Sequence, residues 1–564
     1  MASWADWTHP MQIPSPASAS AHALARALRL TITAADLLER RGHGDVEAAQ
    51  RFLDPKLSQM TRPDAMADRA PAAERIARAI RAREPVVVFG DYDCDGITAA
   101  AILTEAIRLL GGQATPMLAS RFDGGYGLSD PALDRILEHR PSLLITCDCG
   151  SADAPRVHRA RQAGVDVIVI DHHLVPPEPL PALAFLNPHR PECGFPYKGM
   201  ASCGLAMSMA AAIRSSLGVD LDVRRFLDLV AIGTIADVAP LDGDNRAMVR
   251  AGLDAIRAGT RPGLRALAAS AKLDLSRPLT GRDVSFSIAP RLNAPGRLGR
   301  PEAALDLLLA RDDPEAEAAA RACEEVNLLR QEIQKNIVDE AEEQLRALGP
   351  RDAYVLASTG WHKGVVGIVA GRVASARKRP VIVAAVDAEG VATGSVRTAQ
   401  GVDVHRALGA CRDLLLGFGG HTKAAGVTFR VERLADLQDA FARACASQDP
   451  DDEPLLSCDV LLDPQDDPAE VLRDLARIEP CGEGNRAPLF CLPGVKLRNV
   501  KELRGGHLRA DVDFGRRTLG VFGPNLGSRL QSLTSSKVHL VGELRLDTYR
   551  GGGAIEFKAE AIAG

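Results

Sequence analysis

Three short apolar segments that each run into acidic or imidazole residues constrain the fold of this 564-residue chain most strongly. Each segment is four or five residues long, and such uninterrupted apolar runs are typical of strands covered on both faces. The segments are 86–90, followed by Asp91, Asp93 and Asp95; 143–146, followed by Asp148; and 167–170, followed by Asp171, His172 and His173. Because helical patterns separate them, we predict a parallel sheet whose C-terminal strand ends share one edge.

That edge of an open α/β sheet is where ligands bind. A pocket of carboxylates with some imidazole favours Mn²⁺ or Mg²⁺, whereas zinc usually takes sulfur or several histidines. Each piece also has an ordinary explanation, because a single Asp after a strand is usually a turn or helix-cap residue and a His pair is often structural. The acidic residues 91, 93 and 95 imitate an EF-hand loop, but no helix precedes them and no closing Glu follows. Acidic or imidazole residues follow all three predicted strands, and this co-occurrence favours a metal site.

Asp237, at the end of the apolar stretch 228–238, adds a fourth contributor. The series 91–96 (DYDCDG), Asp148, 171–173 (DHH) and 233–238 (GTIADV) resembles the motifs of the DHH phosphoesterase superfamily. The glycine-rich segment 417–426 resembles the signature of that superfamily's associated C-terminal domain. Segments 121–128 and 291–297 narrow the resemblance to the RecJ family of single-strand-specific exonucleases. The resemblance covers roughly residues 70–560, and no motif Asp or His is missing.

The resemblance implies a centre of two divalent ions, about 3.5–4 Å apart, that activates water for in-line phosphoryl displacement. The expected metal ligands are Asp91, Asp93, Asp95, Asp148, His172 and Asp237. Asp148, central among the strand ends, is the candidate bridge between the ions. His173 is expected to face the phosphate or the leaving group as an acid or hydrogen-bond donor, the alternative being a packing residue. The expected catalytic residues are therefore Asp148, His172 and His173.

Phosphate-binding candidates occur in both halves of the chain. Glycines at 419 and 420 would let a phosphate approach the backbone, although tight turns use the same residues. Arg397 resembles the phosphate-binding arginine of related proteins, and a guanidinium suits bidentate phosphate contact. An exposed arginine pair is the alternative for Arg291 and Arg297. The full set is Arg121, Arg291, Asn293, Arg297, Arg397, Gly419, Gly420 and His421.

The fold class expected from these patterns is α/β, with five parts. A helical lead-in, 1–70, precedes a parallel-sheet DHH metal-binding domain, 71–250. A helical connector, 251–347, contains a long helical pattern over 301–347, for which a coiled-coil dimer arm is the less favoured alternative. A second α/β lobe, 348–446, is the expected substrate-binding domain. After an acidic linker, 447–454, residues 455–564 are expected to form an OB-fold-like β-barrel that binds nucleic acid.

The barrel is predicted from five short alternating segments, 494–497, 508–513, 518–522, 538–542 and 554–558. Between residues 485 and 558 there are thirteen Lys or Arg against six Asp or Glu. OB-folds hold single strands with a basic groove and stacking aromatics. Aromatic residues are few, so charge contacts should outweigh stacking; those available are Phe490, Phe514, Phe522, Tyr549 and Phe557.

Composition limits the remaining possibilities. The net charge of −5 argues weakly against a nucleic-acid partner until it is divided by region. An apolar fraction of 46% predicts ordinary folded cores, in about three or four domains. We expect no leader peptide and no membrane span. The eleven cysteines lack zinc-site spacing, so we expect reduced thiols and a cytoplasmic protein. We also expect a monomer.

The function implied by the resemblance is 5′ to 3′ exonuclease activity on single-stranded DNA, in recombination and repair. A single-strand-binding protein and a RecQ-type helicase are the implied protein partners. One alternative is a small-molecule phosphoesterase acting on cyclic dinucleotides, very short RNAs or pyrophosphate, which would not need a basic barrel. The other is a nucleic-acid-binding scaffold with a decayed site, which should lack one or more ligand residues.

Overall fold

The computed structural model describes residues 12–399, 401–448, 458–527, 537–547 and 553–563. The chain divides into two compact units. The sheet unit comprises 55–331 and 479–486, and the lobe unit comprises 1–54, 332–478 and 487–564.

The sheet unit is built on five parallel strands in the order β2-β1-β3-β4-β5. The strands are β1 (Pro85–Gly90), β2 (Gln113–Leu118), β3 (Leu143–Cys147), β4 (Asp166–Ile170) and β5 (Ala184–Leu186). The three predicted strands are β1, β3 and β4, which lie side by side at the centre. Val86 and Val88 of β1 belong to one apolar core, and Val87 and Phe89 to another, so the strand is covered on both faces. This two-sided burial explains the uninterrupted apolar runs.

Helices cover both faces of this sheet. They are Arg69–Ala82, Cys94–Leu109, Asp130–Glu138, Ala154–Gln162, Ser202–Leu217, Leu227–Ala236, Gly243–Ala258, Pro262–Ser270, Gly281–Asp283, Ala289–Arg297 and Glu302–Leu309. Short 3₁₀ turns are Leu57–Gln59, Pro63–Ala65 and Val223–Phe226, and Val284–Ile288 is a π turn. The unit continues past residue 250, where the sequence places a domain end, because Leu253, Leu267 and Leu292 pack into the same core as Val86.

The helical pattern predicted over 301–347 is divided into two helices. Glu302–Leu309 ends at Ala310, whose extended backbone (ψ 133°) interrupts the helix, and Asp313–Leu348 follows. The boundary between the two compact units falls inside this 36-residue helix, between Gln331 and Glu332.

The lobe unit contains a second five-stranded sheet of order β6-β7-β8-β10-β9. Only β6 and β7 are parallel; the other neighbours are antiparallel. The strands are β6 (Tyr354–Thr359), β7 (Val381–Val386), β8 (Val391–Arg397), β9 (Leu415–Gly420) and β10 (Ala424–Arg430). The helices are Val366–Arg377, Val404–Ala410 and Leu434–Ala446, with 3₁₀ turns Arg412–Leu414 and Val431–Arg433.

A seven-stranded sheet of order β11-β12-β16-β17-β15-β14-β13 forms the C-terminal part of the lobe unit. The strands are β11 (Val460–Leu461), β12 (Phe490–Val495), β13 (Leu497–Leu503), β14 (His507–Phe514), β15 (Arg517–Gly523), β16 (Val538–Leu546) and β17 (Ile555–Ala563). The prediction of one strand over 494–497 is wrong. The chain turns there, with Gly494 at φ 62°, and passes from β12 beside β16 to β13 beside β14. Tyr549 and 449–454 of the acidic linker lie outside the described residues.

The N-terminal helices pack on this C-terminal part of the same unit. They are Ala19–Leu28, Ile32–Arg40 and Val46–Leu53, and the C-terminal helix they meet is Pro468–Ile478. The Thr31 amide and hydroxyl donate to Asp474 Oδ2 at 2.7 and 2.8 Å, and the Thr33 amide donates to Asp466 Oδ2 at 2.8 Å. These contacts join residues more than 400 positions apart in sequence. Within the described residues, no helix combines the length and apolar character that crossing a membrane requires.

Candidate metal centre

The loop after β1 brings its acidic residues back over the start of the next helix. Asp93 caps the helix Cys94–Leu109, its Oδ1 accepting from the amides of Asp95 and Gly96 at 3.0 and 3.2 Å. A Cβ at Gly96 would lie 2.6 Å from the backbone of Asp91, so only glycine permits this close return. The loop therefore places Asp91, Asp93 and Asp95 together at the C-terminal end of β1.

Asp95 is buried and held by a second helix. Its Oδ2 accepts from the Ser202 amide at 2.7 Å and its Oδ1 from the Cys203 amide at 2.9 Å. These amides begin the helix Ser202–Leu217, whose positive N-terminal end stabilises a carboxylate. The orientation of Asp95 is thus fixed by backbone donors.

Asp148 follows β3 in a left-handed backbone conformation, at φ 62°. Its Oδ1 accepts from the Ser202 hydroxyl at 3.1 Å and lies 3.3 Å from His172 Nε2. Asp148 is 1% exposed. Its carboxylate therefore lies between the groups that follow β1 and those that follow β4.

His172 Nε2 is surrounded by three carboxylates and has no hydrogen-bond partner within the described residues. It lies 3.3 Å from Asp148, 3.6 Å from Asp237 Oδ2 and 3.9 Å from Asp95 Oδ2. Asp237 comes directly after the helix Leu227–Ala236. A buried nitrogen without a partner is costly, and so are converging carboxylates. A divalent cation would satisfy both, so these residues fit a metal site.

The ligand atoms fall into overlapping groups within which all atoms are no more than 4.8 Å apart. One group is Asp95, His172 and Asp237; the second is Asp91, Asp93 and Asp148; the third is Asp148, His172 and His173. Asp91 Oδ1 is also buried without a hydrogen-bond partner in the described structure. This oxygen-rich set with imidazole suits Mn²⁺ or Mg²⁺. Every predicted metal ligand belongs to one of these groups.

Burial and like charges disfavour the ionised carboxylates. Burial, reinforced by Asp93, raises the pKa of Asp91 to about 8. Burial and then Asp95 raise the pKa of Asp237 to about 8, and the same two causes raise the pKa of Asp148 well above its ordinary value. Cations in the pocket would keep these groups ionised at neutral pH.

His173 is oriented by Asp171 and Tyr126. Asp171 Oδ1 accepts from the His172 and His173 amides at 2.8 and 3.1 Å and lies 2.8 Å from His173 Nδ1. Burial alone would raise the pKa of Asp171, but hydrogen bonds led by that from His173 lower it to about 2. Burial alone would lower the pKa of His173, but Asp171 raises it to about 9. The Tyr126 hydroxyl lies 3.0 Å from His173 Nδ1 and donates to the Asp148 carbonyl at 3.1 Å.

The phosphate-binding candidates of the sheet unit have separate roles. Arg121 stacks over the Tyr92 ring at 4.1 Å, and the pKa of Arg297 falls to about 10 because of burial and then the charge of Arg121. These two arginines lie close together beside the metal loop. Asn293 Oδ1 accepts from the Cys94 amide at 3.0 Å, so it holds that loop. Arg291 pairs with Glu324 and donates to the Ser287 carbonyl at 2.7 Å.

The candidates of the lobe unit meet at one edge of the second sheet. Arg397 ends β8 opposite Ala424 of β10, and Gly420 of β9 lies opposite Ala425. A Cβ at Gly420, whose φ is 140°, would lie 2.5 Å from the Ala424 carbonyl oxygen. The adjacent Gly419 and His421 are exposed. The structure thus gathers the phosphate-binding candidates into two sets, one in each unit.

Comparisons with known proteins agree with this geometry. The N-terminal domain of the DHH family matches residues 85–234, the DHHA1 domain matches 352–447, and the RecJ OB domain matches 458–561. The single-stranded-DNA-specific exonuclease RecJ of Bacillus subtilis strain 168 is 33% identical over 545 residues, which span 95% of this chain and 69% of that protein. The chain belongs to the RecJ family.

Two solved RecJ structures from Thermus thermophilus resemble the whole chain. The complex with Mn²⁺ has a TM-score of 0.83 at 31% identity and covers 98% of this chain and 79% of its own. The complex with Mg²⁺ has a TM-score of 0.76 at 29% identity and covers 98% and 78%. The expected α/β architecture with a C-terminal OB domain is confirmed.

In this RecJ-family chain, much of the positive charge of the OB domain is neutralised internally. Arg509 pairs with Asp547, Arg517 with Asp467 and Arg545 with Glu556, and two further pairs join Arg498 to Asp513 and Lys558 to Glu560. Within the described residues, no ion pair involves Lys496, Lys501, Arg504, Arg516 or Lys537. Among the described residues of the domain, these five cations are available to contact a phosphate backbone.

Sequence reasoning missed three residues that shape the RecJ-family centre. Asp171 and Tyr126 lie inside the recognised segments 171–173 and 121–128, so those segments were an available signal. Ser202 lacks such a signal, because its contacts with Asp95 and Asp148 connect residues 107 and 54 positions apart.

Proposed function

We propose that this protein is a single-stranded-DNA-specific 5′ to 3′ exonuclease that uses two Mn²⁺ or Mg²⁺ ions, acting in recombination and repair. The observation that carries the proposal is the convergence of Asp95, Asp148 and Asp237 on the unpartnered His172 Nε2 at the C-terminal edge of the parallel sheet. Membership of the RecJ family supplies the substrate class. Polarity rests on the resemblance alone.

When bound, two divalent ions activate a water and stabilise the attacking and leaving oxygens of the displacement. Asp95, His172 and Asp237 would hold one ion, and Asp91 and Asp93 the other. Asp148 would bridge them, because it contacts His172 and also belongs to the group of Asp91 and Asp93. The Ser202 hydroxyl and the helix amides orient Asp148 and Asp95 beforehand, which reduces the rearrangement that binding requires.

His173 would serve as the proton donor to the leaving oxygen. Asp171 binds its Nδ1, which fixes the ring and favours the protonated form at neutral pH. Nε2 then carries the proton that the leaving group needs. The protonation state and ring orientation are thus set by Asp171, with Tyr126 also contacting the ring.

The remaining polar groups would hold the strand. Arg397 and the loop at Gly419–His421 would recognise a terminal 5′-phosphate, because a guanidinium and a side-chain-free backbone both suit phosphate. Arg121 and Arg297 would contact a phosphate near the metals. The RecJ OB domain favours a polymeric substrate over a small-molecule phosphoester, and the intact ligand set favours an enzyme over a scaffold.

We further propose a single-strand-binding protein and a RecQ-type helicase as partners, from the family resemblance. A cytoplasmic location is supported by the cysteines, all eleven of which are free thiols, as in reducing compartments.

The test is digestion of end-labelled DNA by the purified protein with Mn²⁺ or Mg²⁺. We expect linear single strands to be shortened from the 5′ end, while blunt duplexes and circular single strands remain intact. Cleavage of the circles would contradict an exonuclease, and shortening from the 3′ end would reverse the proposed polarity. Hydrolysis of cyclic dinucleotides or pyrophosphate alone would favour the small-molecule alternative.

A further inference from the structure

An exposed phenylalanine lies at the start of the helical run that carries Asn293 and Arg297. Phe286 is 68% exposed, although large aromatic side chains usually bury most of their surface. It belongs to the π turn Val284–Ile288, which leads directly into the helix Ala289–Arg297. Such turns are rare and often mark functional sites. The metal centre described above gives Phe286 no role.

The backbone around Phe286 is held firmly. Thr280 and Asp283 form a reciprocal capping box, and Arg277 donates to both Asp283 oxygens at 2.6 and 3.0 Å. Gly281 packs so closely that a Cβ there would lie 2.4 Å from the Cys481 carbonyl oxygen. Phe286 is therefore exposed on a turn whose backbone these contacts hold in place.

Five arginines follow one another from Phe286 towards the metal loop. The Arg282 guanidinium lies 5.2 Å from the centre of the Phe286 ring. Arg291 binds the carbonyl of Ser287, the residue after Phe286, and the charge of Arg291 acts on Arg330. Burial, and then the charges of Arg121 and Arg330, lower the pKa of Arg297, and the charge of Asp93 opposes that shift. This series, Arg282, Arg291, Arg330, Arg297 and Arg121, is called the arginine track below.

The acidic and apolar neighbours of the track also suit a nucleic acid. Two carboxylates beside it, Asp283 and Glu324, are both engaged by arginines. Leu328, one helical turn beyond Glu324, is 54% exposed. The side chains along the arginine track are thus cationic and apolar, which matches phosphates and base faces better than it matches a charged protein surface.

We infer that Phe286 is a base-stacking platform for single-stranded DNA, with Arg282 beside it to contact a backbone phosphate. The inference rests on the proposed function. An aromatic face stacks on any base, and a neighbouring guanidinium adds to the attraction. Phe286 precedes Asn293 by seven residues, roughly 10 Å along a helix. We therefore expect that a strand needs nucleotides beyond the cleaved end to reach the platform, and that a dinucleotide held at the metals is too short.

Steady-state hydrolysis of a dinucleotide and of a long single strand tests the platform. Phe286→Ala should raise KM for the long strand by about five- to a hundredfold, the range for one stacked base, with kcat and dinucleotide hydrolysis unchanged. Phe286→Trp should restore KM. Phe286→Leu, which keeps an apolar side chain without an aromatic face, should not restore it. Val219→Ala, at another exposed apolar residue of the same unit, is the matched control.

Direct binding separates this inference from the nuclease assignment. In strands carrying one 2-aminopurine, the wild-type protein in chelator should change the fluorescence at one internal position, and Phe286→Ala should lose that change. An unchanged KM for long strands in Phe286→Ala, as expected if Phe286 contacts a protein partner, would overturn the platform. Equal losses on dinucleotide and long strand would overturn it as well. A wild-type protein that degrades no single strand would refute the proposed function, while the fluorescence would still decide the platform.

Discussion

The two compact units hold their polar functional groups in opposite ways. At the parallel sheet, Asp91, Asp95 and Asp148 are at most 1% exposed, and Asp95 and Asp148 accept hydrogen bonds from the helix Ser202–Leu217. At the second sheet, Gly419, Gly420 and His421 lie exposed at a strand edge. Buried charges interact strongly and keep fixed positions, whereas exposed groups are screened and adapt to a ligand.

On the proposed function, this difference is expected because the sheet unit carries the chemistry and the second sheet carries end recognition. A reaction centre needs atoms fixed to within a fraction of an ångström, which the helix amides and the Asp171–His173 pair provide. End recognition and strand binding need accessible donors. Changes at the buried carboxylates of the sheet unit should therefore abolish turnover, and changes at the exposed groups of the second sheet should alter substrate preference.

The largest expected effect is a loss of activity on changes in the sheet unit. His172→Ala or Asp148→Ala should abolish hydrolysis, because each removes a group shared by the carboxylate clusters. Binding of single strands, measured by fluorescence anisotropy, should be largely retained. His158→Ala, an exposed histidine of the same unit, should keep full activity. Near-normal turnover of either variant at saturating metal would contradict the mechanism.

The next effect concerns the second sheet. Arg397→Ala should slow digestion of 5′-phosphorylated strands by roughly tenfold to a hundredfold, the usual value of a charge-assisted bidentate contact. The advantage of a 5′-phosphate over a 5′-hydroxyl should shrink in the same measurement. Arg430→Ala, at the opposite end of neighbouring β10, is the control. An unchanged preference would move end recognition to Arg121, Arg291 or Arg297.

A smaller effect is expected from the OB domain. Replacing both Lys501 and Arg504 by Gln should weaken binding of long strands and reduce the slope of log K against log salt by about 0.7 for each phosphate that the variant no longer neutralises. Arg517→Gln should leave the slope unchanged, since Arg517 already pairs with Asp467. An identical slope in the double variant would mean that this face does not contact the strand. Truncation after residue 455 is a poorer test, because it also removes the Asp474 and Asp466 partners of the N-terminal helices.

The smallest effect is on stability. Asp237→Asn should raise the melting temperature of the metal-free protein by a few degrees, at about 2–4 °C per kcal/mol, because desolvation, and then the charges of Asp95 and Asp93, disfavour the ionised carboxylate of Asp237 in the folded protein. The stabilisation that Mn²⁺ gives the wild type in a thermal melt should largely disappear in this variant. Asp254→Asn, at an exposed site, should change neither value. A metal-free Asp237→Asn protein less stable than the wild type would show that the cluster is not under electrostatic strain.

Much of this difference between the parallel sheet and the second sheet could be predicted from the sequence. The central strands of the sheet unit are covered on both faces, so their apolar runs have no interruption, and their C-terminal ends necessarily share an edge. The positions of Asp148 and His172 follow from that topology. The motifs of the second lobe indicated Arg397 and the glycine loop, but their common edge required the antiparallel register of β8, β10 and β9.

The rest depends on contacts that no local pattern encodes. Ser202 reaches Asp95 and Asp148 only through tertiary packing, and Arg291 is engaged by Glu324 from a different helix. The change of direction near Gly494 is hidden in an alternating segment because only Lys496 separates the end of β12 from the start of β13. Ion pairs of the OB domain such as Arg509–Asp547 and Arg517–Asp467 likewise join residues 38 and 50 positions apart, so a count of basic residues did not show how many of them are already paired.

The central claim is that the buried carboxylates hold two catalytic metals. Anomalous diffraction at the manganese edge, from crystals of the protein grown with Mn²⁺, tests it most directly. We predict two anomalous peaks, one among Asp95, His172 and Asp237 and one among Asp91, Asp93 and Asp148, with Asp148 contacting both. Absence of peaks from this pocket at saturating Mn²⁺, in a protein that degrades single strands, would contradict the account.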